Sequence, residues 1–334
     1  FWSTAKWKAR ATDAGIMTAH AQTVLICGAT GTAGRAAAMA LRDDGHSVIA
    51  YGRTAPDIEG IEAVTGSVQD TSAVSAVFAN HKIDSVVSCL ASRSGTPSDA
   101  WAVDHGANLD LLAAAKHAGV GHFVLLSAIC VQKPRLAFQH AKLTFEDTLI
   151  RSGLPYSIVR PTAFFKSLSG QLDRLRAGKP YLMFGDGTLT ACKPISDADL
   201  GRFIASCLTD PARQNAILPL GGPGPALTPR DKGKALFDAL GISPRFRSVS
   251  PRVISAIAGT LSLGGRFSER IATKAELARI GHYYATESML LWNAETGQYE
   301  AEATPEFGSD TLTEFYHALA NGEVTISRGA HAVF

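Results

Sequence analysis

A short apolar run, TVLIC (Thr23 to Cys27), passes directly into Gly28-Ala29-Thr30-Gly31-Thr32-Ala33-Gly34 and then into the alanine-rich stretch RAAAMALRDDG. Nothing else in the chain constrains its fold as strongly. Glycines at this spacing permit a tight turn and a close approach of backbone to a pyrophosphate, while the helix that follows offers free N–H groups and the positive end of its dipole. Glycine-rich loops by themselves are common, and it is the strand before, the helix after and the position at the first βα turn that make this one specific. The loop predicts a dinucleotide cradle lined by Gly28, Thr30, Gly31, Thr32 and Gly34.

The rest of the chain fits that prediction. From Thr23 onward, mostly continuous apolar runs alternate with alanine-rich helical segments: SVIAYG (Ser47 to Gly52), DSVVSCL (Asp84 to Leu90), HFVLLSA (His122 to Ala128) and YSIVRP (Tyr156 to Pro161) read as strands buried on both faces. The expected architecture is α/β, a Rossmann-type doubly wound parallel sheet. Such sheets bind ligands at the carboxyl ends of their strands, which adds Leu90, Ala91, Ser127 and Pro161 to the cofactor-binding candidates. After about Ser169 the alternation gives way to turn-rich segments such as GDGTL and GGPGPALTP. Residues 23–168 are therefore read as the nucleotide-binding domain, residues 169–334 as a smaller, irregular C-terminal substrate lobe with a strand near 216–220 returning to the sheet, and residues 1–22 as a poorly ordered extension, with Met17 a candidate start.

Charge and cysteine usage narrow the partners. Lys and Arg total 32 against 30 Asp and Glu, so neither a nucleic-acid footprint nor an acidic tail is present. The five cysteines contain no CxxC pair, which argues against a disulfide framework and against a metal site. The apolar segment VISAIAGTLSLGG from Val253 is shorter than the roughly 20 residues that span a bilayer. It is expected to face pigment or lipid, leaving peripheral membrane contact open, and the oligomeric state is not readable.

Cofactor preference is carried by the end of the second strand, where an acidic residue would grip the ribose hydroxyls of NAD. Arg53 stands there, followed by Thr54. A guanidinium fork suits a 2′-phosphate, so the expected cofactor is NADPH. Asp70, in GSVQD, either approaches the adenine or caps the helix TSAVSAVF.

Short-chain dehydrogenases carry a Tyr and a Lys four residues apart on one helix face; the lysine orients the nicotinamide ribose and the phenol protonates a carbonyl oxygen. The equivalent positions here are Phe138 and Lys142. Lys142 is thus the catalytic candidate, and it doubles as a cofactor-binding one. Without the phenol, carbonyl chemistry loses its main acid, whereas hydride transfer to an acceptor that delocalises its own negative charge survives.

The runs VVSCLASRSG, HFVLLSAICVQKPRLAFQHAKLTFE, YSIVRPTAFFKSL, GKPYLMFGDG, ACKPISDADL, GGPGPALTP and IGHYYATESML resemble the signature blocks of the NADPH-dependent divinyl chlorophyllide 8-vinyl-reductases, an NmrA-like branch of the atypical short-chain dehydrogenases. The resemblance covers nearly the whole chain beyond residue 22. It implies reduction of a tetrapyrrole's 8-vinyl group to ethyl in chlorophyll or bacteriochlorophyll synthesis, in the cytoplasm of a photosynthetic bacterium or in a chloroplast. For a broad apolar pigment with a carboxylate edge, the candidate contacts are Phe164, Phe165, Lys166, Tyr283 and Tyr284, with His282 beside them. His140, Lys166, Tyr283, Tyr284 or water remain as proton donors. Two other classes stay open: an NmrA-like NADP-sensing regulator, and a structural subunit that keeps the nucleotide as a staple.

Overall fold

The computed structural model describes residues 21–250, 252, 261 and 268–325, with the backbone alone at 269–270. The apolar segment starting at Val253 lies outside these residues, apart from Leu261, and so do residues 1–20. Gln22 is already tied to the body of the protein: its carbonyl accepts from Ser47 N at 2.9 Å and its side chain accepts from Ser85 Oγ at 2.7 Å.

Seven parallel strands form the central sheet in the order β3-β2-β1-β4-β5-β6-β8. They are β1 (Thr23–Cys27), β2 (Ser47–Gly52), β3 (Glu62–Thr65), β4 (Ser85–Ser88), β5 (His122–Leu126), β6 (Tyr156–Pro161) and β8 (Ala216–Leu220). The strand runs are apolar throughout because both faces are covered. Leu25, Val86, Phe123, Leu125 and Ile158 face one core, where they meet Val74 and Val77, Leu111 and Leu112, and Phe145 and Leu149. These come from α2 (Thr71–Asn80), α4 (Asn108–His117) and α5 (Ala137–Arg151). Val24, Ile26, Val87, Val124 and Val159 alternate with them along the strands and face a second core. That core is closed by Ala37 and Leu41 of α1 (Thr32–Asp43) and by Leu200 and Ile204 of α7 (Asp197–Ser206).

Strand order reverses between β1 and β4, so the loops leaving their carboxyl ends diverge and open a crevice. Both neighbours of β1 are in register with it: Cys27 pairs with Tyr51 on one side and with Ser88 on the other. The architecture is a doubly wound, Rossmann-type sheet. A third cluster lies apart from the two faces and joins Phe165, Leu175, Tyr181, Met183, Phe237 and Tyr316. It is built around α8 (Pro229–Ala239), the helix Leu312–Ala320 and a small parallel pair, β7 (Tyr181–Phe184) with β9 (Phe246–Val249).

Candidate functional site

The glycine loop occupies the crevice. Gly28 has φ +91° and a Cβ there would sit 2.5 Å from Cys89 O; a Cβ on Gly34 would sit 2.2 Å from Gly28 O. Neither position tolerates a side chain, and the backbone stays bare where a ligand would approach. Gly31 N donates to Gly28 O at 3.0 Å, closing the turn. Gly31 then caps α1 without a side-chain hydrogen bond, and the first turn of the helix has no acidic residue. Its leading N–H groups are therefore left for an anion. Thr30 and Gly31 are exposed, and Thr32 accepts a hydrogen bond from Lys166 Nζ at 3.2 Å. The residues present fit a dinucleotide pyrophosphate.

Around this loop the other candidates distribute unevenly. Arg53 is exposed directly after β2, at the carboxyl end of the sheet. Asp70 is engaged as the cap of α2, where its Oδ1 accepts from Ser72 N at 3.0 Å and Ala73 N at 3.1 Å. Leu90 and Pro161 are buried and Ala91 is exposed at the ends of their strands. The Ser127 hydroxyl is committed to Glu146, whose carboxylate also pairs with Arg160.

Lys142 faces inward from α5, with its Nζ 3.0 Å from Asp104 Oδ1. Asp104 belongs to a π-helical stretch, Trp101–Ala107, in which one widened turn carries the carboxylate into the interior. It is 2% exposed; its Oδ2 is buried without a hydrogen-bond partner. Phe138, one turn before Lys142, packs on a buried cluster of Cys130, Leu136, Ile280 and Tyr283, which Ala128 and Tyr284 also adjoin. Burial pushes the thiol of nearby Cys89 up to about 12, against the pull of Lys142, so a thiolate plays no part at neutral pH.

Asp104 and Glu146 were not among the sequence candidates. The signal for Asp104 was present: with Asn108, Leu111, Leu112 and Ala115 it recurs at helical spacing, a carboxylate beside one amide on a face that is otherwise apolar.

The aromatic and cationic candidates for the pigment separate into different places. Phe164 packs against the core beneath α1 and α7, whereas Phe165 is 3% exposed inside the third cluster, its ring 5.5 Å from Phe315. Phe164 is extended and Phe165 opens the short 3-10 turn Phe165–Leu168, so the two rings leave the chain towards different cores. Lys166 reaches the glycine loop. Tyr283 is buried in the helix Glu269–Thr286 and donates to Cys130 O at 2.9 Å and Lys133 O at 3.0 Å. Tyr284 lies with its hydroxyl 3.9 Å from Cys130 Sγ. Burial raises both phenols above their usual range, which makes them poorer proton donors. His140 is exposed on α5.

The segments ICVQKP and HYYATESM therefore meet in space. Lys133 Nζ lies 2.6 Å from Glu287 Oε2, Arg135 lies 2.9 Å from Oε1, and Trp292 N donates to Gln132 at 2.8 Å. Burial raises the Glu287 carboxyl, but hydrogen bonds from Lys133 and Tyr299 and the charge of Arg135 outweigh it and hold it below the ordinary range. Among the described residues no helix is long and apolar enough to cross a membrane.

An NAD(P)H-binding family model matches residues 28–211, from the glycine loop to just before β8. The chain is 46% identical to the chloroplastic divinyl chlorophyllide a 8-vinyl-reductase of Zea mays, covering 89% of this chain and 79% of that protein. It is 47% identical to the enzyme of the same name from Oryza sativa subsp. indica, over 89% and 78%. Among solved structures, the NADPH complex of an Escherichia coli NADPH-dependent quinone oxidoreductase superposes with a TM-score of 0.65 at 18% identity, covering 89% of this chain and 99% of that one, and shares the fold. The glycine loop, the Phe138–Lys142 pair and the two interlocked segments are thus found in a chain that belongs to the divinyl chlorophyllide a 8-vinyl-reductase family.

Proposed function

We infer that the chain is an oxidoreductase that reduces the 8-vinyl group of a divinyl chlorophyllide-type tetrapyrrole to ethyl, with NADPH as the preferred form of its nicotinamide cofactor. One observation supports this over carbonyl reduction: Lys142 is retained and anchored by Asp104, while the position one turn before it holds the ring of Phe138 among apolar neighbours. An apolar ring cannot protonate an alkoxide, whereas a vinyl group conjugated to a macrocycle delocalises negative charge without an oxyanion partner.

A nicotinamide held at this site would supply the hydride for the outer vinyl carbon. Gly28, Thr30, Gly31, Thr32 and Gly34 leave backbone free at the pyrophosphate, and Arg53 is free to take the 2′-phosphate. Leu90, Ala91, Ser127 and Pro161 line the remaining path along the strand ends, Ser127 through its backbone because its hydroxyl serves Glu146. Asp70 supports the adenine end by fixing the start of α2. Lys142 orients the nicotinamide ribose, and Asp104 keeps its ammonium aimed. Phe138, Ile280 and Tyr284 form an apolar wall that excludes water from the acceptor. Tyr283 packs behind that wall, whereas Phe164 and Phe165 act at a distance, by fixing the segment after β6 in two other cores. With the Tyr283 and Tyr284 phenols raised, the completing proton comes from water or from His140 at the rim. The place of work is the chloroplast in a plant or alga, or the cytoplasm of a photosynthetic bacterium.

The test is isotopic. Incubation with divinyl chlorophyllide and NADPH deuterated at the transferable nicotinamide position should yield the 8-ethyl pigment with the deuterium in the new ethyl group. Conversion without label transfer, or no conversion, would overturn the assignment.

A further inference from the structure

The sequence groups Lys166 with the pigment contacts, but its surroundings point elsewhere. The segment after β6 runs beside the start of α7: Ile195 N donates to Ala163 O at 2.9 Å, Phe165 N donates to Ile195 O at 3.3 Å, and Phe164 bridges to Ile195. Helix α7 in turn packs closely on α1, where a Cβ on Gly201 would sit 2.5 Å from Ala36 O. Lys166, Asp197 at the first position of α7 and Thr32 at the first position of α1 are thereby gathered at one end of the paired helices. Lys166 Nζ is 3.2 Å from Thr32 Oγ1. Asp197 Oδ1 is buried with no hydrogen-bond partner.

We propose that Lys166 is a pyrophosphate ligand of the dinucleotide, and that Asp197 behind it takes up a proton when the cofactor binds. An ammonium already bonded to the hydroxyl that flanks the bare N–H groups of α1 adds a charge-assisted contact where the backbone offers only dipoles. The same approach brings a dianion towards a carboxylate that has no donor of its own. A like charge favours the neutral form of that carboxylate.

Among the described residues, the charged groups around Asp197 are few. The α1 side presents no acid in its first turn, and the segment after β6 presents Lys166. On α7 itself, Asp199 is paired with Arg202 and accepts from Asp310 N at 3.0 Å, while Asp310 accepts from Ser196 Oγ at 2.6 Å. Burial lifts the Asp197 carboxyl to about 6, with Lys166 pulling the other way. A bound pyrophosphate lifts it further, so affinity is level below about pH 6 and falls as pH rises above it.

The proposal rests on the nicotinamide cofactor, not on the pigment assignment, and is tested by binding alone. NADPH and NADH are titrated by calorimetry into the full chain, the parent and the variants K166M, K166R and D197N, in buffers of different ionisation enthalpy. Lys166→Met should weaken NADPH and NADH by the same factor, roughly ten-fold or more, with Lys166→Arg recovering most of the loss. NADPH binding to the parent should take up more protons near neutral pH than binding to the Asp197→Asn protein; the 2′-phosphate titrates equally in both. Equal proton uptake by parent and Asp197→Asn, unchanged affinity in Lys166→Met, or a loss confined to NADPH would overturn the proposal. Failure of the Arg53 reading would appear separately, as equal parental affinity for the two cofactors.

Discussion

Lys142 of α5 and Asp104 of the π-helical stretch face each other with 3.0 Å between Nζ and Oδ1, and both side chains are almost wholly shielded from water. Removing either partner leaves an uncompensated buried charge. Asp104→Ala should therefore destabilise the protein by about 3 to 5 kcal/mol, read from denaturant unfolding. Asp104→Asn, which keeps the shape, should lower kcat more than it raises the KM for cofactor. A stable Asp104→Ala protein with full turnover would remove the pair from the site.

Arg53 makes no hydrogen bond or ion pair among the described residues, and its exposed position leaves it free for a phosphate. Arg53→Ala should cost about 1.5 to 3 kcal/mol of NADPH binding, or about ten-fold to a hundred-fold in affinity, and leave NADH nearly unaffected. Fluorescence titration with both cofactors measures this. Parallel losses for the two would place the 2′-phosphate elsewhere.

Phe165 and Tyr284 should part company under mutation. Phe165 fills the third core, and Phe165→Ala is expected to cost about 3 to 5 kcal/mol of stability. Tyr284→Ala opens the cluster beside Phe138 and should weaken pigment binding more than NADPH binding. Phe138→Tyr should leave vinyl reduction largely intact where the new hydroxyl is accommodated. Quenching titrations with each ligand decide these, and equal losses for pigment and NADPH in Tyr284→Ala would move the substrate away from this wall.

The link between the segments that carry Lys133 and Glu287 should be acid-sensitive. The Glu287 carboxyl is held below its usual range in the folded protein, so its contribution is present above the unfolded value and is lost as pH falls through the folded one. Glu287→Gln should therefore lower the melting temperature at neutral pH, with the gap to the parent closing towards strongly acidic pH. A gap that is constant across that range would assign the loss to packing.

Much of this arrangement was legible in the sequence because local rules and the global fold agree there. TVLIC followed by GATGTAG specifies strand, turn and helix within a dozen residues, and the other apolar runs could only be strands covered on both faces. The edge strand β3 escaped because Glu62–Thr65 is short and largely exposed, without an apolar run to announce it. Side-chain direction was less legible. Phe164, Phe165 and Lys166 form one cluster on paper, yet they divide between two cores and the glycine loop, because the chain passes from extended at Phe164 into the 3-10 turn Phe165–Leu168. Asp197 became visible only when distant segments were brought together, whereas the helical spacing of Asp104 with Asn108 and Leu111 already marked it.

The central claim is that a chain with Lys142 but no phenol at position 138 reduces a vinyl group on a tetrapyrrole. The most direct measurement is the Soret band of divinyl chlorophyllide mixed with the protein and NADPH. The account predicts a time-dependent blue shift as the vinyl group leaves conjugation, absent without NADPH and strongly slowed in Lys142→Ala. A Soret band that stays in place with both ligands bound would contradict it, leaving a protein that binds the nucleotide without using it for catalysis.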